Sequence, residues 1–182
     1  MLVAAINAIA DAAPAKPYVM REETVSGKPA PYVTTFYPEL DMRNFVAEVQ
    51  FFKPADVKIH PWDLGGFFRA GRPDQYRLVI QSARIWYLML LDTALADAVD
   101  GKVSTQGIVA NLNVDTDGSN TFHLVVKDKQ AFLFVNNQYI GTMDASARTV
   151  SGAFYIGTGM VEGANFPGLQ LHFKNLIVKW LE

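Results

Sequence analysis

The chain has 182 residues, half of them hydrophobic, 19% charged and 12% aromatic, with a formal net charge of −2 and no cysteine. These figures fit one globular domain with at most an arm, and they exclude a disordered chain. With no basic excess to neutralise phosphates and no thiol, general nucleic-acid binding, disulfides, thiolate catalysis and cysteine metal sites are also excluded.

The first stretch, Met1–Ala13, is apolar and alanine-rich and lacks the basic start of a secretory leader. Its alanines predict a short helix packed on the domain; a remnant of a longer protein is the other reading. No segment reaches the roughly 18 uninterrupted apolar residues of a membrane span. Pro14, Pro17, Pro29 and Pro31 crowd the next stretch. Each fixes φ and lacks an amide hydrogen, so residues 14–31 are expected to be an irregular arm. The expected organisation is therefore an N-terminal segment, 1–31, and a β domain, 32–182.

From Tyr32 onward short apolar runs alternate with turn residues. Phe45, Ala47, Val49 and Phe51 share one parity, and Tyr76, Leu78 and Ile80 another run's. Ser82–Ala83 breaks the chain before Ile85–Leu91 and predicts a hairpin. Thr93–Val99 reads as a loop or one helical turn. Phe122, Leu124 and Val126 alternate with polar neighbours, and Asn136–Asn137 predicts a hairpin turn because Asn tolerates positive φ. Tyr139–Met143, Ala153–Thr158 and Leu169–Trp180 complete about ten strands at a spacing near 8–12 residues, which argues for an all-β sandwich or barrel. In the last run the apolar parity switches after Lys174–Asn175. A period of two allows that only through a bulge or a change of partner sheet.

The series Trp62-Asp63-Leu64-Gly65-Gly66-Phe67-Phe68-Arg69, Gln75–Leu78, Arg84–Leu88, Gly118–Phe122, Phe132–Asn137, Ser151–Gly159 and Phe173–Leu176 resembles, in order, the laminin-G-like, concanavalin A-like domains related to the 3-keto-disaccharide hydrolase family. The likeness covers about Tyr32–Leu181 and looks most like bacterial modules appended to surface or signalling proteins. It implies an all-β, two-sheet antiparallel jelly-roll sandwich and an extracellular or cell-surface setting, although the lack of cysteine fixes no compartment. Gly65 and Gly66 read as points of close backbone approach or a bulge.

Glycoside hydrolysis, common on such sandwiches, needs two carboxylates held roughly 5–10 Å apart. Glutamate occurs only at 22, 23, 39, 48, 162 and 182, and of these Glu48 alone falls within a clear strand pattern. Asp63, beside Trp62, is its nearest rival. No catalytic pair is legible, and no nucleophile elbow occurs. Asp115 and Asp117, with Gly118, Ser119 and Asn120, could ligate calcium, or could form a plain turn. Arg77, Trp86, His123, Tyr155 and His172 fall on the non-core parity, where aromatic faces and polar groups could line a sugar or peptide groove. Trp86 has a second reading, as core, because Ile85–Leu91 is apolar on both faces. The sequence therefore predicts a non-catalytic, lectin-like domain with carbohydrate as ligand. A sugar-acting hydrolase-like enzyme is one alternative. A structural module that self-associates or docks through residues 1–31 is the other.

Overall fold

The computed structural model describes residues 17–26, 32–56, 58–71, 74–92, 102–115 and 118–181, together with Ala4, Ile6 and Ala8. Its described strands are β1 (Tyr18–Ser26), β2 (Val33–Met42), β3 (Phe45–Phe52), β4 (Asp63–Ala70), β5 (Asp74–Gln81), β6 (Ile85–Asp92), β7 (Lys102–Ile108), β8 (Ser119–Lys127), β9 (Gln130–Val135), β10 (Gln138–Asp144), β11 (Gly152–Thr158) and β12 (Gln170–Trp180). They form two six-stranded sheets. The first has the order β1-β12-β3-β8-β9-β10 and the second β2-β11-β4-β5-β6-β7. Every recorded pairing is antiparallel, so the expected two-sheet antiparallel sandwich is what the chain adopts.

Alternation along the strands makes the core. Phe45, Ala47, Val49 and Phe51 of β3 and Phe122, Leu124 and Val126 of β8 face Leu78 and Ile80 of β5 and Phe154 and Ile156 of β11. Burying each large side chain contributes roughly 1.5–3 kcal/mol. Neighbouring strands approach closely at Gly65 and Gly66, where an added Cβ would run into the carbonyl oxygens of Leu78 and Tyr155 respectively. The parity switch in β12 is a bulge. Asn175 has a φ of 54°, the register slips between Lys174 and Ile177, and the strand stays between β1 and β3. Asn136 and Asn137, at φ 50° and 64°, form the two-residue hairpin loop joining β9 to β10. The break at Ser82–Ala83 turns the chain back at Arg84, whose N–H donates to Gln81 O at 2.8 Å.

Three regions differ from the sequence reading. The stretch expected to be an irregular arm carries β1, which starts directly after Pro17 and pairs along β12. An edge strand needs ladder partners on one side only, so flanking prolines do not prevent it. Glu23 of β1 accepts hydrogen bonds from Tyr37 Oη at 3.0 Å and Thr35 Oγ1 at 3.3 Å, bridging the edge strands of the two sheets. The polar strand β7, which the apolar pattern does not reveal, pairs with β6. Ala4, Ile6 and Ala8 are helical, and Ile6, 1% exposed, packs with Val46, Val125, Phe132 and Phe134 on the outer face of the first sheet. Thr93–Val99 lies outside the described residues.

One end of the sandwich is tied by Arg69, wholly buried and at a φ of 48°. Its guanidinium donates to the carbonyls of Arg43 (2.9 Å), Asp128 (2.7 Å), Ala145 (3.1 Å) and Arg148 (2.6 Å). The β2–β3 turn, the β8–β9 turn and the β10–β11 connection all meet there. Arg148 reciprocates, donating its Nε to Arg69 O and its backbone N–H to Tyr76 Oη. Replacing Arg69 by Met strands four carbonyls in the interior, at about 1–3 kcal/mol for each that water cannot reach. We expect Arg69→Met to lose at least ~3 kcal/mol of unfolding free energy in urea titrations, or not to fold, and Arg69→Lys to fall between it and the parent. A Met variant as stable as the parent would contradict this role.

Candidate functional site

The five residues expected to line one groove are divided among three places. Trp86 is 3% exposed in the main core, opposite Ile80 and Gly107. Gly107 and Gly141 make room for its indole, since a Cβ at either would sit within about 3 Å of the ring. Trp86 is therefore a packing residue, as its second reading allowed, and Tyr87 takes the outer face. His123 and His172 lie on the outer face of the first sheet, Arg77 and Tyr155 on the outer face of the second.

His172 sits in an open polar patch at the β1 edge of the first sheet. Its ring stacks on Phe52 with centroids 4.3 Å apart and an interplanar angle of 16°. Its Nε2 lies 2.9 Å from Glu22 Oε1, which also receives Lys174 Nζ at 3.2 Å. Lys174 Nζ stands 5.2 Å from the Phe52 ring centroid. Beside them Gln50 Nε2 donates to Ser119 Oγ at 2.9 Å. Hydrogen bonds from His172 and then Lys174 hold the Glu22 carboxyl below its ordinary pKa. The register explains the cluster: Glu22 is opposite Lys174, Lys174 opposite Gln50, and His172 opposite Phe52. Lys174 and His172 are two apart on β12 and share a face. Glu22 and Phe52 escape sequence reasoning, Glu22 because β1 is hidden among prolines and Phe52 because it ends an apolar run.

His123 is on the same face but packed away. Its ring lies 5.3 Å from Phe134, and it is opposite Glu48 in register. Burial holds its pKa below the ordinary value against the pull of Glu48, and its Nε2 has no protein partner. Glu48 is two strands and two residues from Glu22, roughly 12 Å at the backbone.

On the second sheet Arg77 is 6% exposed, its guanidinium 4.8 Å from the Phe67 ring centroid and 5.3 Å from that of Tyr32. Phe67 meets Tyr155 edge-on at 5.8 Å, and Tyr155 stacks on Phe36 at 4.5 Å. Arg77 and Tyr155 therefore belong to one cluster, but the cation is consumed by its own aromatic neighbours.

Asp63, at the head of β4, is fully buried. Its Oδ2 accepts from Val161 N–H at 2.9 Å, while Oδ1 has no protein partner. Burial pushes its carboxyl up to about 6, against the backbone N–H groups of Met160, Val161 and Gly159. Thr158 Oγ1 donates to its main-chain carbonyl at 2.6 Å. Asp63 thus anchors the turn after β11 and offers no accessible acid.

Asp115 is exposed, and Asp117 lies outside the described residues. Asn120, expected to share their loop, is committed elsewhere: its Oδ1 accepts from Asn113 N–H at 2.7 Å and its Nδ2 donates to Asn113 O at 2.9 Å. Among the described residues no group of three or more His, Asp or Glu side chains could hold a metal ion, and no helix is long and apolar enough to cross a membrane.

No protein-family model and no curated protein matches the chain. Solved structures share its fold. A fructosyltransferase from A. japonicus superposes with a TM-score of 0.66 at 14% identity, over 96% of this chain and 28% of that one. A Bacillus subtilis protein of unknown function with a galectin-like fold gives 0.60 at 11% identity, over 87% and 88%. The CBM40 of Ruminococcus gnavus IT-sialidase, bound to α2,6 sialyllactose, gives 0.54 at 17% identity, over 88% and 90%. The chain spans little more than a quarter of the fructosyltransferase's length. These likenesses establish a concanavalin A-like sandwich.

Asp63 yields a pH prediction. With a folded-state pKa of about 6 against an ordinary 3.8, folding favours the protonated form. Its contribution is complete below about pH 4 and is lost as pH rises through about 6, a fall of up to roughly 3 kcal/mol. Asp63→Asn, which keeps an acceptor for Val161, should flatten the pH dependence of the urea midpoint over that window. An unchanged slope would mean that Asp63 does not titrate in this way.

Proposed function

We propose that the domain is a non-catalytic carbohydrate-binding module whose binding surface is the His172–Phe52 patch on the outer face of the first sheet. The observation that carries this reading is a stacked ring pair framed by the acceptor Glu22 and the donors Lys174 and Gln50. Sugars present apolar C–H faces and hydroxyls together, and sites that hold them combine a flat apolar wall with a few placed polar groups. The second sheet's cluster lacks that combination, since Arg77 and Phe67 are buried and engaged with each other.

The comparisons support the class. Similar structures include a carbohydrate-binding module with a bound sialyllactose and a fructosyltransferase. A relation to the 3-keto-disaccharide hydrolase family remains part of this proposal and rests on the ordered motifs from Trp62 to Leu176. Hydrolysis is disfavoured by the engagement of the Glu22 carboxylate with His172 and Lys174 and by the burial of Asp63. Self-association through residues 1–31 has less support, since Ile6 and β1 pack on their own chain.

On a glycan array we expect binding without turnover. Phe52→Ala and His172→Ala should each weaken the selected glycan about tenfold by calorimetry, or ~1.4 kcal/mol, while Tyr155→Ala on the other sheet leaves it unchanged. Equal losses from all three variants would displace the site. A day-long assay with β-glucans, disaccharides and 3-keto sugars should release no reducing sugar. Release abolished by Glu48→Gln or Asp63→Asn would make the domain an enzyme.

A further inference from the structure

The two sheets leave a space between them. A cavity of about 40 Å³ is lined from the first sheet by β3 and β8 and from the second by β4, β5 and β11. β3 and β8 are the middle pair of one sheet, and β4 and β5 the middle pair of the other. Exposure inside the core follows the cavity. Leu78 and Leu124, which line it, keep 6% and 8%, whereas Leu88, Val126 and Leu133 of the same core keep none.

The void follows from the close approach of neighbouring strands. Leu64, Gly66 and Phe68 share the core parity of β4, and a Cβ at Gly66 would run into Tyr155 O. Gly66 therefore cannot carry the side chain that would fill the space between Leu64 and Phe68. The first sheet supplies only the methyl of Ala47 there. No lining residue has a polar side chain, and none of the buried polar atoms without a partner belongs to one. A buried water needs two to four polar partners, so the cavity is dry. Its volume exceeds the roughly 10–15 Å³ that one water-sized occupant requires. Its walls lack the dispersion contacts that an occupant would restore.

We propose that this cavity is a binding site for one small apolar molecule, of the size of xenon or a short hydrocarbon, held by dispersion alone. A polar molecule of that size is excluded, because its hydrogen-bonding groups would find no partner inside. The guest touches both sheets, so it binds only the assembled sandwich. The site shares no residue with the His172–Phe52 patch and does not depend on the reading of the domain as carbohydrate-binding.

The test is methyl-resolved NMR of the isotope-labelled full chain under stepped xenon pressure, with helium at matched pressure as the control. Saturable shifts should appear at the methyls of Val49, Leu78, Ile80, Leu124 and Ile156, and not at those of the exposed Ile59, Ile108 and Val150. Ala47→Val, which adds two methyl groups to the cavity, should abolish them. Ile80→Val, one methyl smaller and mild enough to keep the fold, should reach half-saturation at a lower xenon pressure. Absence of saturable shifts in the parent chain overturns the proposal, as do equal shifts at the exposed methyls or shifts that survive in full in Ala47→Val. If Ala47→Val does not fold, Ile80→Val decides, and unchanged or weaker xenon binding in it overturns the proposal. A nuclear Overhauser contact between water and the methyls of Leu78 or Leu124 would mean a hydrated cavity, and also overturn it.

Discussion

The buried guanidinium of Arg69 is the constraint on which the geometry of this sandwich rests. Arg69 belongs to the second sheet, yet three of its acceptors, Arg43, Asp128 and Ala145, sit in turns and connections that serve the first. Apolar contact between two sheets is non-directional and would tolerate sliding. Hydrogen bonds to carbonyls are directional and would not. Comparable ties operate elsewhere. At the far end Asn136 links the β9–β10 hairpin to Asn111, Asn120 and Thr121. Asp63 fixes the turn after β11, and Glu23 joins the β1 and β2 edges. Two apolar faces pressed together become one defined sandwich because directional polar contacts, two of them from the buried Arg69 and Asp63, close its ends.

Those ties leave the outer faces free to differ. The second sheet's outer face turns inward on itself, with Arg77 held between Tyr32 and Phe67 and Tyr155 stacked on Phe36. The first sheet's outer face is divided along its length. Ile6 covers Val46, Val125, Phe132 and Phe134, leaving an aromatic and polar patch at the Phe52 end. Ile6 thus acts as a cover on its own domain.

Strand alternation carried most of the fold into the sequence. The parity of Phe45–Phe51 and Phe122–Val126, the Asn136–Asn137 turn and the parity switch at Asn175 were all legible, because each is a local rule. Features set by pairing partners were not. Whether Trp86 points inward depends on Gly107 and Gly141, far from it in sequence and against its ring in space. β1 is edged by prolines and half polar, so its strand character comes from β12 and not from its own pattern. For the same reason the site was only half visible. His172 was identified, but its partners Glu22 and Phe52 come from strands on either side of it, and Arg77 and Tyr155 share its parity on a different sheet. Parity says which face of a sheet a residue takes; it does not say which sheet.

Sugar recognition at the β1 edge, on the outer face of the first sheet, is best tested by the structure of the domain bound to the glycan chosen on the array. We expect a sugar ring against His172 or Phe52, with hydroxyls hydrogen-bonded to Glu22, Lys174 or Gln50. A sugar seated instead on Phe36 and Tyr155, with the His172 patch unaltered, would contradict that assignment.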